Sequence, residues 1–271
     1  MKSYAVYDEQ LELTDPIGYL LYYEKSKSFI IELSSDLDEW QAPLLFQGLV
    51  RKGIYTIPKE VSLMWVRERI IPSGRQNIGE ILRTHKLKEY SEIAMLTLSK
   101  GRSSQDDCYL KEVREEEIPE SIKNRWFGNV EECFPTEQGD IVCLFCDNTA
   151  RLIRLEKLVD KYRSVTHVMK RRELLESVEV GVGGYSISFN ESIEVSASDL
   201  KEYGELLPLQ ACDFYGFVQK NIVDTTNACF MIECSRQNLS YLVKEKKLKP
   251  IIQGTKENLY TKGEIARLKN D

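Results

Sequence analysis

The spacing of apolar and polar positions predicts most of the elements of this chain. Tyr19-Leu20-Leu21-Tyr22-Tyr23 and Ser28-Phe29-Ile30-Ile31-Glu32-Leu33 are aromatic and β-branched runs on either side of Glu24-Lys25-Ser26-Lys27. That pattern predicts a hairpin. Residues 38–48, around Pro43, read as loop or helix. Residues 78–83 and 91–98 read as helices, the second with Ser91 as its cap and Gly101 as its stop. Further along, residues 140–145 and 150–155 predict two strands around the turn Cys146-Asp147-Asn148-Thr149. Helices are expected over 156–162 and 169–175. Val178-Glu179-Val180-Gly181-Val182 alternates as a strand, turns at Gly183-Gly184 and returns over 185–189. In this middle stretch, short strands followed by local helices predict a small α+β domain, an antiparallel sheet covered by helices on one face.

Two stretches read as linkers: residues 111–120, charged and carrying Pro119, and residues 204–209 around Pro208. They divide the chain into an N-terminal α+β domain over 1–115, a small α+β domain over 120–208 and a last domain over 210–271. The sequence holds no internal repeat and no low-complexity tract.

The last domain carries the strongest pattern. Thr225 or Thr226 offers a cap for a helix whose Ala228, Met231 and Ile232 follow i, i+3, i+4 spacing. After a three-residue break Ser235 offers a second cap, and Leu239, Leu242 and Val243 form one apolar stripe. Arg236, Gln237, Asn238 and Tyr241 lie off that stripe. A helix-turn-helix needs this layout, with the second helix presenting polar side chains to base edges in the major groove. Arg pairs with guanine, and Gln or Asn with adenine. Ser235, Arg236, Gln237, Asn238 and Tyr241 are the expected DNA-reading group. Lys244, Lys246, Lys247 and Lys256 are the expected phosphate contacts, with Lys249 close by. Two short extended runs around Gln253-Gly254-Thr255-Lys256-Glu257-Asn258 predict a wing-like hairpin, and residues 262–269 a closing helix with Ile265 and Leu268 inward.

On these residues the segment 224–268 resembles the winged helix-turn-helix of MerR-type regulators and excisionases. The resemblance rests on Cys234-Ser235-Arg236-Gln237-Asn238-Leu239, Lys247-Leu248-Lys249-Pro250 and Leu259-Tyr260-Thr261-Lys262-Gly263-Glu264-Ile265. It departs from the family at Glu233, where a glycine is usual. Residues 140–204 resemble the domain of unknown function 2442 family, which implies architecture and no chemistry. Ile70-Ile71-Pro72, Arg75 and Gly101-Arg102 bear a fainter resemblance to the N-terminal subdomain of HipA-type toxins, whose kinase core has no counterpart here.

Charge sharpens this picture. The chain of 271 residues has a net charge of −6. Residues 235–269 alone carry nine basic and three acidic groups, so this segment is +6 and the remainder −12. An acidic body with a basic tip suggests a division of labour. No apolar run approaches the ~20 residues of a membrane span, and the first residues do not read as a signal peptide. The expected location is cytoplasmic.

Candidate catalytic chemistry is sparse. Seven cysteines, an odd number, are expected as reduced thiols. Cys143 and Cys146 form a C-x-x-C on a strand, where an odd spacing sends the sulfurs to opposite faces. Only His85 and His167 are available as histidines, about 80 positions apart. Gly181-Val182-Gly183-Gly184 lacks the Lys-Ser or Lys-Thr of a phosphate loop. Ser73-Gly74-Arg75-Gln76-Asn77 reads as a surface loop, and Gln105-Asp106-Asp107 as solvated charge. Trp40, Trp65 and Trp126 read as core or interface anchors. No catalytic residue, metal site or cofactor is expected. The reading is a non-enzymatic DNA-binding regulator or antitoxin-like protein whose partner is double-stranded DNA. Its N-terminal domains would form a homodimer or hold a partner protein. The alternative is a protein-binding adaptor or inhibitor in a toxin–antitoxin or phage–host conflict.

Overall fold

A computed structural model describes residues 1–11, 15–190 and 192–270. The fold is mixed α+β with several small antiparallel sheets. The first is five-stranded, in the order β4-β3-β2-β1-β5. Its strands are β1 (Lys2–Asp8), β2 (Gly18–Tyr23), β3 (Ser28–Leu33), β4 (Thr56–Ile57) and β5 (Cys108–Val113). The expected hairpin is β2–β3, with Tyr19 opposite Glu32 and Leu20 opposite Ile31. Four helices interrupt the strands: α1 (Leu44–Val50), α2 (Lys59–Arg67), α3 (Ile78–Thr84) and α4 (Glu92–Ser99). α4 ends through Lys100 and Gly101, both at positive φ, while Ser91 sits at the cap position without accepting a side-chain bond.

Both faces of this sheet are covered. On one, Tyr4, Val6, Leu20, Phe29 and Ile31 pack against Phe46, Trp65, Val66 and Leu96. On the other, Ala5, Tyr19, Leu21 and Ile30 pack against Ile118 and Ile122 of α5 (Glu120–Trp126). The linker expected over 111–120 is corrected. Lys111-Glu112-Val113 belongs to β5, the strand paired with β1, and the proline merely starts α5. The expectation that Gln105-Asp106-Asp107 is solvated charge also changes. Asp106 pairs with Arg69, whose buried guanidinium lies 3.5 Å from the centre of the Trp65 ring. Trp65 is a core anchor, Trp126 is half-buried, and Trp40 is 81% exposed.

The middle of the chain adds β6 (Val130–Pro135), β7 (Ile141–Phe145), β8 (Ala150–Ile153), β9 (Val178–Val180), β10 (Ser186–Phe189), β11 (Ile193–Ser196) and, after α8 (Ala197–Tyr203), β12 (Glu205–Leu206). They form two sheets, β12-β8-β7-β6 and β11-β10-β9, around one core. Here the expected helix over 156–162 is only a single 3-10 turn, Leu155–Leu158. The helix expected over 169–175 is two: α6 (Val165–Lys170) and α7 (Arg172–Glu176), broken where Arg171 turns extended. The β9–β10 turn needs glycine. Gly184 has φ +73°, and a Cβ there would lie 2.3 Å from the Val130 carbonyl oxygen. The linker expected over 204–209 is also corrected, since β12 pairs with β8. β7 is buried along its whole length, which corrects the expectation of a middle sheet covered on one face. Ile141, Cys143 and Phe145 face one core, while Val142 and Leu144 meet Ala211 and Phe214 of α9 (Ala211–Asn221).

The last elements are β13 (Ile222–Asp224), α10 (Thr225–Ile232), α11 (Arg236–Lys244), β14 (Ile252–Gln253), β15 (Asn258–Thr261) and α12 (Lys262–Asn270). β15 lies between β13 and β14. Val223, Ala228, Leu239, Leu248, Tyr260 and Ile265 form their own small core.

Candidate nucleic-acid interface

The C-terminal elements are specified by local signals. Asp224 caps α10, its carboxylate accepting from Asn227 N–H at 2.7 Å. The cap is therefore Asp224, in place of Thr225 or Thr226. Thr225 is occupied elsewhere: its Oγ1 donates to Asn258 O and accepts from Asn258 N–H, both at 3.2 Å, tying α10 to the wing strand β15. The chain then leaves α10 through Glu233, which adopts the left-handed conformation at φ 59° and ψ 41°. Ser235 caps α11 as expected, accepting from Asn238 N–H at 3.2 Å. Such a cap contributes about 1 kcal/mol. Leu239 is buried and Leu242 and Val243 half-buried, so the apolar stripe faces α10 and α12.

Ser235, Arg236, Gln237, Asn238, Tyr241, Lys244, Lys246, Lys247 and Lys256 are all exposed. Arg236, Gln237, Ser240, Tyr241 and Lys244 together line an open hollow of about 400 Å3 on the solvent face of α11. Arg236 is oriented from within the molecule, its Nη2 donating to Thr226 Oγ1 at 2.6 Å. Lys246 takes a left-handed conformation at φ 58° and turns the chain out of α11. The lysines around it gather at the helix C-terminus, where the peptide dipoles favour cations. Lys256 sits in the turn between β14 and β15, the wing-like hairpin, which Gly254 N–H closes onto Asn258 Oδ1 at 3.2 Å. Among the described residues no ion pair is found for Lys244, Lys246, Lys247 or Lys256. In the body, by contrast, Lys59 is paired with Glu194, Lys161 with Asp199 and Lys201 with Asp147.

A larger cleft of about 890 Å3 lies between the five-stranded sheet and the middle elements, lined by Tyr55, Pro58, Arg125, Tyr162, Tyr185 and Asp199. Arg125, Lys161, Glu194, Asp199 and Lys201 of its lining are ion-paired. Asp199 is buried, which pushes its carboxyl up, but bonds from Lys161, Tyr162 and Ser196 outweigh that and hold it below the usual range. His85, just past the end of α3, and His167, on α6, are exposed, and among the described residues no cluster of metal-ligating side chains occurs. Cys143 is buried on β7, whereas Cys146 is exposed in the turn that follows, so the strand expected through Cys146 ends at Phe145. Ser73–Asn77 precedes α3 without a side-chain cap. Among the described residues no helix is long and apolar enough to cross a membrane.

Two groupings escaped the sequence reading. Thr226 positions Arg236, and the Cys234 N–H meets the Cys229 carbonyl across the turn. Neither spacing is a recognised motif. Both pairs are brought together only by the left-handed turn at Glu233. Glu233→Gly is expected to relieve that backbone, raising stability by about 1 kcal/mol. Thermal unfolding of the two proteins checks this.

No family model matches the chain, no curated protein is similar to it, and no solved structure matches it.

Proposed function

We propose that residues 224–268 are a winged helix-turn-helix and that the protein is a sequence-specific DNA-binding regulator, acting on transcription or in the manner of an antitoxin. The observation that carries this reading is the solvent face of α11. Five polar side chains line one hollow there, beside exposed lysines that are in no ion pair found among the described residues. The major groove, about 12 Å wide, accepts a helix of this kind. Arg236 adds an energetic argument. It occupies the first position of α11, which has no acidic residue in its first turn. A cation there opposes the helix dipole by about 0.3–1 kcal/mol, whereas a phosphate or an electronegative base edge would be drawn to both.

In this reading Arg236, Gln237, Asn238 and Tyr241 read bases, with Ser235 setting the start of the helix. Lys244, Lys246, Lys247 and Lys256 meet phosphates. The elements before residue 211 form a homodimer or hold a partner protein, because one small module reads only a half-site. The role is non-enzymatic and uses no cofactor. The test is selection of duplexes from a randomised pool, followed by titration of the selected duplexes. Arg236→Ala is expected to relax preference at one base step and cost about 1–3 kcal/mol there. Unchanged binding of the variant to every sequence would remove Arg236 from the readout.

A second reading has one observation in its favour. Phe230 is 84% exposed, with Ile251 at 52% and Ile252 at 55% on the same unit. A protein ligand would cover such side chains. As an adaptor or inhibitor in a toxin–antitoxin or phage–host conflict, the protein would bind no duplex at any salt concentration.

A further inference from the structure

The turn between α10 and α11 carries two cysteines that DNA binding leaves unused. Cys234 N–H donates to Cys229 O at 3.0 Å and Glu233 N–H to Phe230 O at 3.2 Å, with Glu233 left-handed between them. This closure turns the chain back on the end of α10. One hydrogen bond spans the two cysteine backbones, so their α-carbons lie within the roughly 7 Å a disulfide can bridge. Both cysteines are half-buried, and both line a surface hollow of about 790 Å3 with Phe230, Met231, Ile265 and Ala266. The remaining cysteines differ: Cys108, Cys133 and Cys143 are buried, and Cys146 and Cys212 are exposed.

We infer that Cys229 and Cys234 form a redox modification site, a dithiol that a hydroperoxide converts into a bridge across the turn. The inference deepens the DNA-binding reading and rests on it only for its consequence, since the bridge ties the end of α10 to the residue before the Ser235 cap of α11. The chemistry balances with the peroxide as sole oxidant. The Cys234 sulfur attacks one peroxide oxygen, the O–O bond breaks, and a sulfenic acid and an alcohol result. The Cys229 sulfur then displaces the hydroxyl from that sulfenic sulfur, forming the S–S bond and releasing water. The two sulfurs lose two electrons and the peroxide gains them. Burial, with the Cys234 sulfur adding to it, raises the Cys229 thiol above its ordinary value, against an opposing effect of Arg236. Cys229 therefore suits the second, resolving step. A bridge of this kind is reversible by thiols, as expected of a regulatory disulfide in a reducing compartment.

The test uses the full chain, treated with tert-butyl hydroperoxide, alkylated, and digested with trypsin. Peptide 221–236 contains both cysteines and no internal Lys or Arg. The expected result is a peptide lighter by two hydrogens and protected from alkylation, restored to two alkylated thiols by dithiothreitol. Cys229→Ser is expected to abolish the bridge and leave Cys234 to form adducts with glutathione, with folding verified by circular dichroism. The inference is overturned if both thiols stay alkylatable while the exposed Cys146 and Cys212 are oxidised, or if Cys234 links only to a second chain. A bridge in a protein that binds no duplex would keep this inference and sink the DNA-binding reading. Duplex binding without a bridge would do the reverse.

Discussion

Arg125→Ala is expected to lower folding stability by about 3 kcal/mol, through a carboxylate that it leaves stranded. Glu32 lies on β3 with no exposed surface. Its Oε2 accepts from Arg125 Nε at 3.0 Å and from Thr56 Oγ1 at 2.8 Å, and its Oε1 from Tyr185 OH at 2.8 Å. Arg125 also donates to Leu33 O at 2.6 Å and Ser35 Oγ at 2.8 Å, so one guanidinium holds α5 against the end of β3. Tyr185 belongs to the middle elements, which makes the Glu32 carboxylate a joint between them and the first sheet. Burial first, then Glu32, drives the Tyr185 phenol upward, so it stays a hydrogen-bond donor at any ordinary pH. Removing the guanidinium leaves a buried charge with only neutral donors, which is costlier than never having built the pair. The double variant Arg125→Ala with Glu32→Leu is therefore expected to recover most of the loss. Tryptophan fluorescence during urea unfolding reads the outcome, since all three tryptophans lie in the first half of the chain and Trp126 adjoins the site. A single variant as stable as the parent would show that the carboxylate needs no cation.

The same joint explains what the sequence concealed. A period of two marks a strand with one buried face, but β2 and β7 are covered on both sides and read as unbroken apolar runs. Their existence was legible; what covers them was not. β5 resembled a linker because its second half, Lys111 and Glu112, is exposed at the sheet edge. α9 was missed because its apolar residues fall on two sides. Ala211 and Phe214 point to the middle core, while Phe217 and Val218, each 54% exposed, point outward.

The C-terminal unit was more legible because its signals are local. Serine cap, apolar stripe and wing hairpin all lie within 45 residues and need no distant partner. The exception follows the same logic. Asp224 gains the cap role because β13 ends there, and β13 exists only by pairing with β15, where Val223 faces Tyr260. No window around Thr225 contains that information.

Duplex binding is expected to weaken by about a hundredfold between 50 and 200 mM salt, the steepest response the proposed function implies. Four phosphate contacts, from Lys244, Lys246, Lys247 and Lys256, give a slope near −3.6 in log affinity against log salt. The four are exposed, and among the described residues no ion pair involving them is found. Replacing Lys244, Lys246 and Lys247 together by alanine is expected to flatten that slope by about 3 and to weaken all duplexes alike, since phosphates carry no sequence information. Arg236→Ala should behave oppositely, changing the preference among duplexes with a smaller effect on the slope. Lys25 and Lys27, exposed in the β2–β3 turn, supply the control, and their replacement should leave both quantities unchanged. Charge count alone cannot produce this contrast, because the whole chain is acidic. It requires that the cations act from the α11 end of one small unit. If the triple variant and the turn control gave equal slopes, any duplex binding would be diffuse attraction, and the exposed face of α11 would be left for a protein.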